Sequence, residues 1–209
     1  LTQGRLGGVS DNIIHNASRA AQEGVTRVHL LDQHMDGALL KELFTRDGIG
    51  CMVSQDSYEG MRRAHIDDVG GIIALIEPFE RDGTLVRRSR EQLEMEIDNF
   101  TVIERDGMIV ACAALYAMGD FAEVACVVTH DDYRNSGRAE SLLALLEAQA
   151  HAQELKTLFV FTTRTRHWFM EQGFTEAALD DLPAERQDSY NFKRNSRVLT
   201  KPVVPPRKR

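Results

Sequence analysis

The stretch Glu123 to Ala139, EVACVVTHDDYRNSGRA, holds the residues with the clearest capacity for chemistry. An apolar, β-rich run from Glu123 to Thr129 ends in a polar turn through Arg134 and Gly137, and the turn opens directly into an apolar-periodic helix. Such a strand–turn–helix start gathers backbone N–H groups at the positive end of a helix dipole, which favours phosphate. Arg134, Asn135, Ser136, Gly137, Arg138 and Ala139 form that turn. Small residues at Gly137 and Ala139 permit close approach, and the two arginines offer charge-assisted contacts. Arg138 reads equally well as solvent-facing, and the whole turn as a structural, capped one. Glu123 is the only ionised residue between Phe121 and Thr129, which makes it the acid–base candidate. The competing reading is a glutamate exposed at a strand end. Strict alternation puts Glu123 and Cys126 on opposite faces, so they share a site only if the strand is bulged. Cys126 has apolar neighbours and no histidine beside it in sequence, which favours packing plus a backbone contact over nucleophilic attack.

The elements that must position these residues are legible as periodicities. Helices are expected over 11–23, 37–44, 66–76, 89–97, 139–152 and 163–172. Ser89-x-x-Gln92 is a capping-box pattern. Strands are expected over 25–31, 49–53, 58–64, 100–104, 109–118, 123–129 and 156–161, with another starting at Gly173 and a last one over 190–199. In that last strand, alternation places Arg194 and Ser196 on one face. Residues 180–187 read as a polar connection broken at Leu182-Pro183. Asp106-Gly107 is a hairpin turn signal. One helical crossover followed by three tightly joined strands predicts a mixed α/β sheet with an antiparallel meander, flanked by helices.

The 209 residues carry 43% apolar and 27% charged side chains and a formal charge of -7, which favours neither nucleic acid nor an anionic membrane. No apolar run approaches membrane length. Cys51, Cys112 and Cys126 suit reduced thiols in a cytoplasmic protein. The domain boundaries expected are 1–56, 57–200 and a flexible basic tail over 201–209. The opening at Leu1, in mid-pattern, suits a fragment or a processed form. His29, His34 and their acidic neighbours read as solvated surface, and nothing spaces them as a metal site.

Arg134-x-x-Gly137-x-Ala139 resembles the acyl-CoA pyrophosphate loop of the GNAT superfamily of N-acetyltransferases. Narrower matches, HLLDQHMDGALLKELFTRDGIG (29–50), LVRRSREQLEME (85–96) and LFVFTTRTRHWFMEQGFTEAALDDLP (158–183), resemble bacterial N-acetylglutamate synthases. The resemblance implies a GNAT acyl-CoA N-acyltransferase fold, preceded by the end of an amino-acid-kinase-like regulatory domain that carries no kinase chemistry. It implies acetyl-CoA as cosubstrate, no metal, L-glutamate as acceptor, a homo-oligomer in the full-length protein, and the first step of arginine biosynthesis. It also implies roles: Glu123 as general base; backbone groups of Cys126, Val127 and Val128 on the pantetheine and thioester; and Arg87, Cys126, Arg186, Arg194 and Ser196 on the acceptor. Arg88 is an immediate rival to Arg87. The family commonly has a proton-donating tyrosine where this chain has Phe169, so the departing thiolate has water, Thr162, Thr163 or no enzyme acid at all. Two other readings stay open: a GNAT enzyme acting on another small amine, and a non-catalytic CoA-binding regulatory module.

Overall fold

The computed structural model describes residues 10–45, 48–54 and 59–205. The expected loop over 1–8, Asp47 of the expected turn, the connector at 55–57, Tyr58 and the end of the tail lie outside these. Two compact units divide the chain, residues 1–58 and 59–209.

In the first unit, α1 (Asp11–Gln22), β1 (Val28–Leu30), α2 (Ala38–Phe44) and β2 (Cys51–Val53) follow in order, and β1 pairs antiparallel with β2. Its buried apolar side chains are alanines, Ala17, Ala21 and Ala38, whereas Leu39, Leu40, Leu43 and Phe44 of α2 are exposed. The expectation that the acidic residues here are all solvated fails at Glu42. Its carboxylate turns inward and accepts the N–H groups of Ile49 and Gly50 at 2.7 and 2.8 Å, as well as the His29 ring. Those bonds hold its pKa down against the cost of burial.

The second unit is a seven-stranded mixed sheet with helices on both faces. In chain order it runs β3 (Glu59–Arg63), α3 (Val69–Arg81), α4 (Arg90–Glu96), β4 (Phe100–Arg105), β5 (Met108–Met118), β6 (Phe121–Thr129), α5 (Arg138–Ala152), β7 (Thr157–Thr162), α6 (Arg166–Glu171), β8 (Thr175–Glu176), α7 (Ala184–Asp188) and β9 (Arg197–Pro202). The sheet order is β3-β4-β5-β6-β7-β9-β8, antiparallel everywhere except β6 with β7. Asp106 and Gly107 both have positive φ, 47° and 75°, as a tight two-residue hairpin turn requires, and Arg105 pairs with Met108 across it. One core layer lies under α5, with Leu142, Leu143 and Leu146 against Val110, Val124 and Leu158. The other lies under α3 and α4, with Ile72, Ile76 and Leu93 against Val102, Cys112 and Cys126.

Four expectations shift. Ser89 does cap α4, its Oγ accepting the Gln92 N–H at 3.1 Å, but the Gln92 side chain reaches forward to Glu96 instead of back to the cap. The last strand begins at Arg197, not 190: Asn191 Oδ1 accepts the N–H groups of Lys193 and Arg194, and Asn195 is left-handed at φ 48°, which curls the segment into turns. Arg194 and Ser196 therefore precede the strand. The tail begins later than 201, because Lys201 and Pro202 pair with Leu158 and Thr157. The helix α7 replaces part of the expected polar connection.

Arg62 anchors the β3–β4 edge, forking onto Asp68 at 2.6 and 2.8 Å while reaching Glu104 at 2.6 Å. The Arg62 bonds, opposed by burial and helped by the His65 N–H, hold Asp68 below its usual pKa. A depressed carboxylate contributes stability that is fully present above the unfolded aspartate pKa of about 3.9 and is lost as pH falls through the folded value. Asp68→Asn should therefore lower stability near neutrality by about 1–3 kcal/mol. It should also flatten the fall in urea midpoint below about pH 4, measured by denaturation at a series of pH values.

Candidate active site

The centre of the site is a fault in the sheet. Cys112 faces Val128 and Ala114 faces Ala125, so Cys126 and Val127 together stand opposite Ala113. This is a β-bulge, and Cys126 takes a left-handed φ of 52° within it. For a non-glycine residue that conformation costs on the order of 1–3 kcal/mol, and neighbours must hold it. One such neighbour is the Cys112 thiol, which points at the Cys126 carbonyl at 3.6 Å. The extra residue resets the alternation. Ala122, Val124 and Val127 pack on the α5 side, whereas Cys126 and Val128 pack on the α3 side. Glu123, opposite in phase to Ala122 and Val124, thus shares a face with Cys126. The condition set by the sequence is met, and Val127 can offer the site only its backbone.

The second fault lies on the other edge of β6. It pairs with β7 only over Phe121–Glu123 against Thr157–Phe159, yet β6 continues to Thr129 and β7 to Thr162. Beyond Glu123 the ladder stops, and the two strands present backbone edges to a widening gap. An extended chain with amide groups fits such a gap by the same bonds a strand would make.

The turn after β6 ends in the uncapped start of α5. Asn135 and Gly137 are left-handed at φ 57° and 75°, a pattern that turns successive N–H groups inward. No side chain caps the helix at Gly137, and the first helical bond runs from Ser141 N–H to the Gly137 carbonyl. The amides of Arg138, Ala139 and Glu140 thus face outward at the positive end of a 15-residue helix. This backbone fits a pyrophosphate, but the side chains contribute differently from expectation. Arg138 is structural: Nε and Nη2 fork onto Glu59 at 2.9 and 2.6 Å, and Nη1 donates to the Tyr133 carbonyl. Ser136 Oγ donates to that same carbonyl. Arg134 pairs with Asp131 at 2.6 Å and lies over the Phe79 ring.

On the face expected to meet the acceptor, the arginines are placed in different ways. Arg87 is exposed, and it is Arg88 that turns inward. Burial works against the Arg88 charge, but the Cys126 thiol, the Tyr116 phenol and the Glu96 carboxylate outweigh it and raise the pKa. Burial, then the charge of Arg88, lower the pKa of Arg194, so the two guanidinium groups lie close enough to repel. Arg194 is tethered by a bond from Nη2 to the Thr84 carbonyl. Ser196 is buried, with its carbonyl accepting the Tyr190 hydroxyl at 2.7 Å. Arg186 departs furthest from expectation. Nε and Nη2 donate to the two oxygens of Glu123 at 2.7 and 3.0 Å, so its fork is engaged by the acid–base candidate and not held open for an acceptor.

Tyr116 and Glu96 were missed by sequence reasoning. Tyr116 is the cross-strand partner of Glu123, and its hydroxyl donates to Glu96 at 2.7 Å. Burial, then that bond, push the phenol well above its ordinary pKa. A signal existed: the two-residue turn Gly119-Asp120 fixes the register that sets Tyr116 against Glu123. Phe169 is buried in a cluster with Trp168 and Phe174 and has no proton to give. Thr162 Oγ1 is engaged with Thr165 Oγ1 at 2.8 Å.

Comparison with known proteins agrees with this geometry. Residues 96–176 match the model of the Acetyltransferase (GNAT) domain family. An amino-acid acetyltransferase of Yersinia pseudotuberculosis is 54% identical over 188 residues, 89% of this chain and 43% of the relative. N-acetylglutamate synthase from Neisseria gonorrhoeae, solved with coenzyme A and L-arginine, superposes with a TM-score of 0.83 at 36% identity over 95% of this chain and 46% of that one. The same enzyme solved with coenzyme A and N-acetyl-glutamate gives 0.69 at 37% identity, covering 95% and 48%. The chain carries a GNAT acetyltransferase domain of the bacterial amino-acid acetyltransferase type. It spans less than half the length of these relatives. Among the described residues of the GNAT domain and the unit before it, no group of His, Cys, Asp and Glu is arranged to hold a metal ion. No helix among them is long and apolar enough to cross a membrane.

The left-handed Gly137 gives one direct test of the anion loop. A Cβ there meets nothing within 4 Å, so a side chain would strain only the backbone. Gly137→Ala should cost about 1–2 kcal/mol of loop strain. The expected outcome is weaker acetyl-CoA binding by calorimetry, with the far-UV spectrum unchanged.

Proposed function

We propose that the GNAT domain transfers the acetyl group of acetyl-CoA to the α-amine of L-glutamate, giving N-acetyl-L-glutamate, the first step of arginine biosynthesis. The observation that supports the reading is the placement of two arginines at this end of the sheet: Arg88 turns inward beside Tyr116, the cross-strand partner of Glu123, and Arg194 bonds the Thr84 carbonyl of the loop that carries Arg88. Arginine forks match carboxylates, and two of them suit an anion with more than one charge. Glutamate brings two carboxylates and one amine. The N. gonorrhoeae enzyme solved with N-acetyl-glutamate supports the same acceptor, and the amino-acid acetyltransferases at 54% identity support an amino acid as acceptor.

In this reading the roles follow the geometry. The amides of Asn135 to Ala139 hold the pyrophosphate. The open backbone edges of β6 and β7 hold the pantetheine, with groups from Cys126 to Val128 beside the thioester carbonyl, where an oriented donor is worth about 3 kcal/mol. Arg88, Arg194 and Ser196 hold the acceptor carboxylates. Glu123 takes the ammonium proton, directly or through water. The free amine attacks the thioester carbon, the C–S bond breaks, and the proton left on the new amide nitrogen passes to the departing thiolate through water or leaves to solvent, since Phe169 has no proton to give. We also propose that residues 1–56 end an amino-acid-kinase-like regulatory domain, because a structural match over 95% of the chain must reach well into the first unit. The exposed apolar face of α2 suits the assembly of several copies in the full-length protein. Three free thiols suit a cytoplasmic location.

Glu123→Gln should lower kcat about 10²- to 10⁴-fold while acetyl-CoA binding survives, measured by single-turnover transfer and calorimetry. The parent should strongly prefer glutamate to glutamine in kcat/KM, because a neutral amide leaves an arginine unmatched at a cost of about 2–5 kcal/mol. Arg194→Leu should narrow that preference. Equal use of glutamate and glutamine by the parent would sink the carboxylate reading and leave only an acetyltransferase.

A further inference from the structure

A general base needs a lone pair free to meet the proton it takes. Each Glu123 oxygen has one of its two lone pairs taken by the same arginine. Arg186 Nε donates to one at 2.7 Å and Nη2 to the other at 3.0 Å, a bidentate fork on a carboxylate that is 8% exposed. The far side of the guanidinium is held as well: Nη1 donates to Ser189 Oγ at 2.8 Å, and the group lies 4.7 Å over the Phe161 ring. The element that carries Arg186 is slight. The five-residue α7 is tied by backbone bonds to Pro183 and by Gln187 to the Asp180 and Leu182 carbonyls, and the loop after it ends in turns. By contrast, Arg88 and Arg194 have no carboxylate in a salt bridge of their own among the described pairs, and Arg88 sees Glu96 only through a field shared with Tyr116.

We propose that Arg186 is a guard on Glu123, a positioning residue that covers the base until an acceptor bearing a carboxylate draws it away. The inference rests on the acetyl transfer proposed above and adds a specificity step to it. Without acceptor, the danger at this site is water. If Glu123 were open, it could take a proton from a water molecule as that oxygen attacked the thioester carbon, the C–S bond broke and acetate and a thiolate left. The fork takes one lone pair on each carboxylate oxygen and stabilises the ionised form, which weakens that base. An acceptor carboxylate placed by Arg88 and Arg194 competes for the same N–H donors, so one arginine–carboxylate pair is exchanged for another. The acceptor need only bind the uncovered state better than the covered one to shift the balance. An amine without such a carboxylate leaves the base covered.

The test compares acceptor-free hydrolysis of acetyl-CoA with transfer to glutamate in the parent, in Arg186→Leu and in Arg186→Gln. Both variants should hydrolyse acetyl-CoA about tenfold faster than the parent or more, within the range a general base supplies. At the same time the KM for glutamate should rise, and the preference for glutamate over an amine acceptor lacking a side-chain carboxylate should shrink. Adding Glu123→Gln to either variant should return hydrolysis to the parental rate. A structural role alone does not produce a gain of hydrolysis that depends on Glu123. Hydrolysis at the parental rate in both variants overturns the proposal. So does a rise that survives Glu123→Gln, and so does loss of acetyl-CoA binding in both variants. A parent that hydrolyses slowly but never acetylates glutamate would instead sink the acceptor assignment, leaving the hydrolysis comparison to judge the guard.

Discussion

An interior strand of a β-sheet is paired along both edges, and β6 departs from that twice within a few residues. Its bulge at Cys126 and Val127 breaks the regular ladder with β5, and its departure from β7 after Glu123 ends the other. Everything that bears on acetyl transfer depends on these two breaks. The bulge brings Glu123 and Cys126 to one face. The departure exposes backbone edges to which an extended amide-bearing arm can bond. The costs, a non-glycine residue at positive φ and an interrupted ladder, are tolerated because cores on both faces fix the strand.

Charge is managed around that fault by spending arginines in different ways. Arg138 serves structure, tying β3 to the anion loop through Glu59 and the Tyr133 carbonyl. Arg164 reaches from beyond β7 to the side chain and carbonyl of Asp82, and Arg194 bonds the Thr84 carbonyl. These contacts fasten the loop that carries Arg88 to the far side of the gap, so residues distant in the chain meet at one end of the sheet. Arg186 covers the acid–base candidate. Of the arginines singled out, Arg88 and Arg194 are partly buried, and the charge of Arg88 works against that of Arg194.

Much of this was legible in the chain. Apolar periodicity located the helices packed on the sheet, α3 and α5, because a helix face and a sheet face must each bury a stripe of the right period. Asp106-Gly107 announced its hairpin because only a left-handed turn joins twisted strands in two residues. The anion loop was visible for a similar reason, since Gly137 supplies a backbone conformation that other residues resist. What failed was local too. Residues 190–199 alternate like a strand, but Asn191 and Asn195 offer turn bonds that compete with a ladder, and a single sequence does not rank the two.

The sequence by itself determined the acid–base candidate, a backbone loop suited to an anion and the order of most elements, because each depends on neighbours within a few residues. It could state the condition for Glu123 and Cys126 to meet, a bulge, but not that the bulge exists, since that depends on which residues of β5 stand opposite. It could not choose between Arg87 and Arg88, because side chains one residue apart differ only in which way a turn aims them. Nor could it tell a substrate-holding arginine from one that holds Glu123. Pairing between residues 123 and 186 is set by how the sheet and α7 close on each other, and only the tertiary structure brings two such charges within 3 Å.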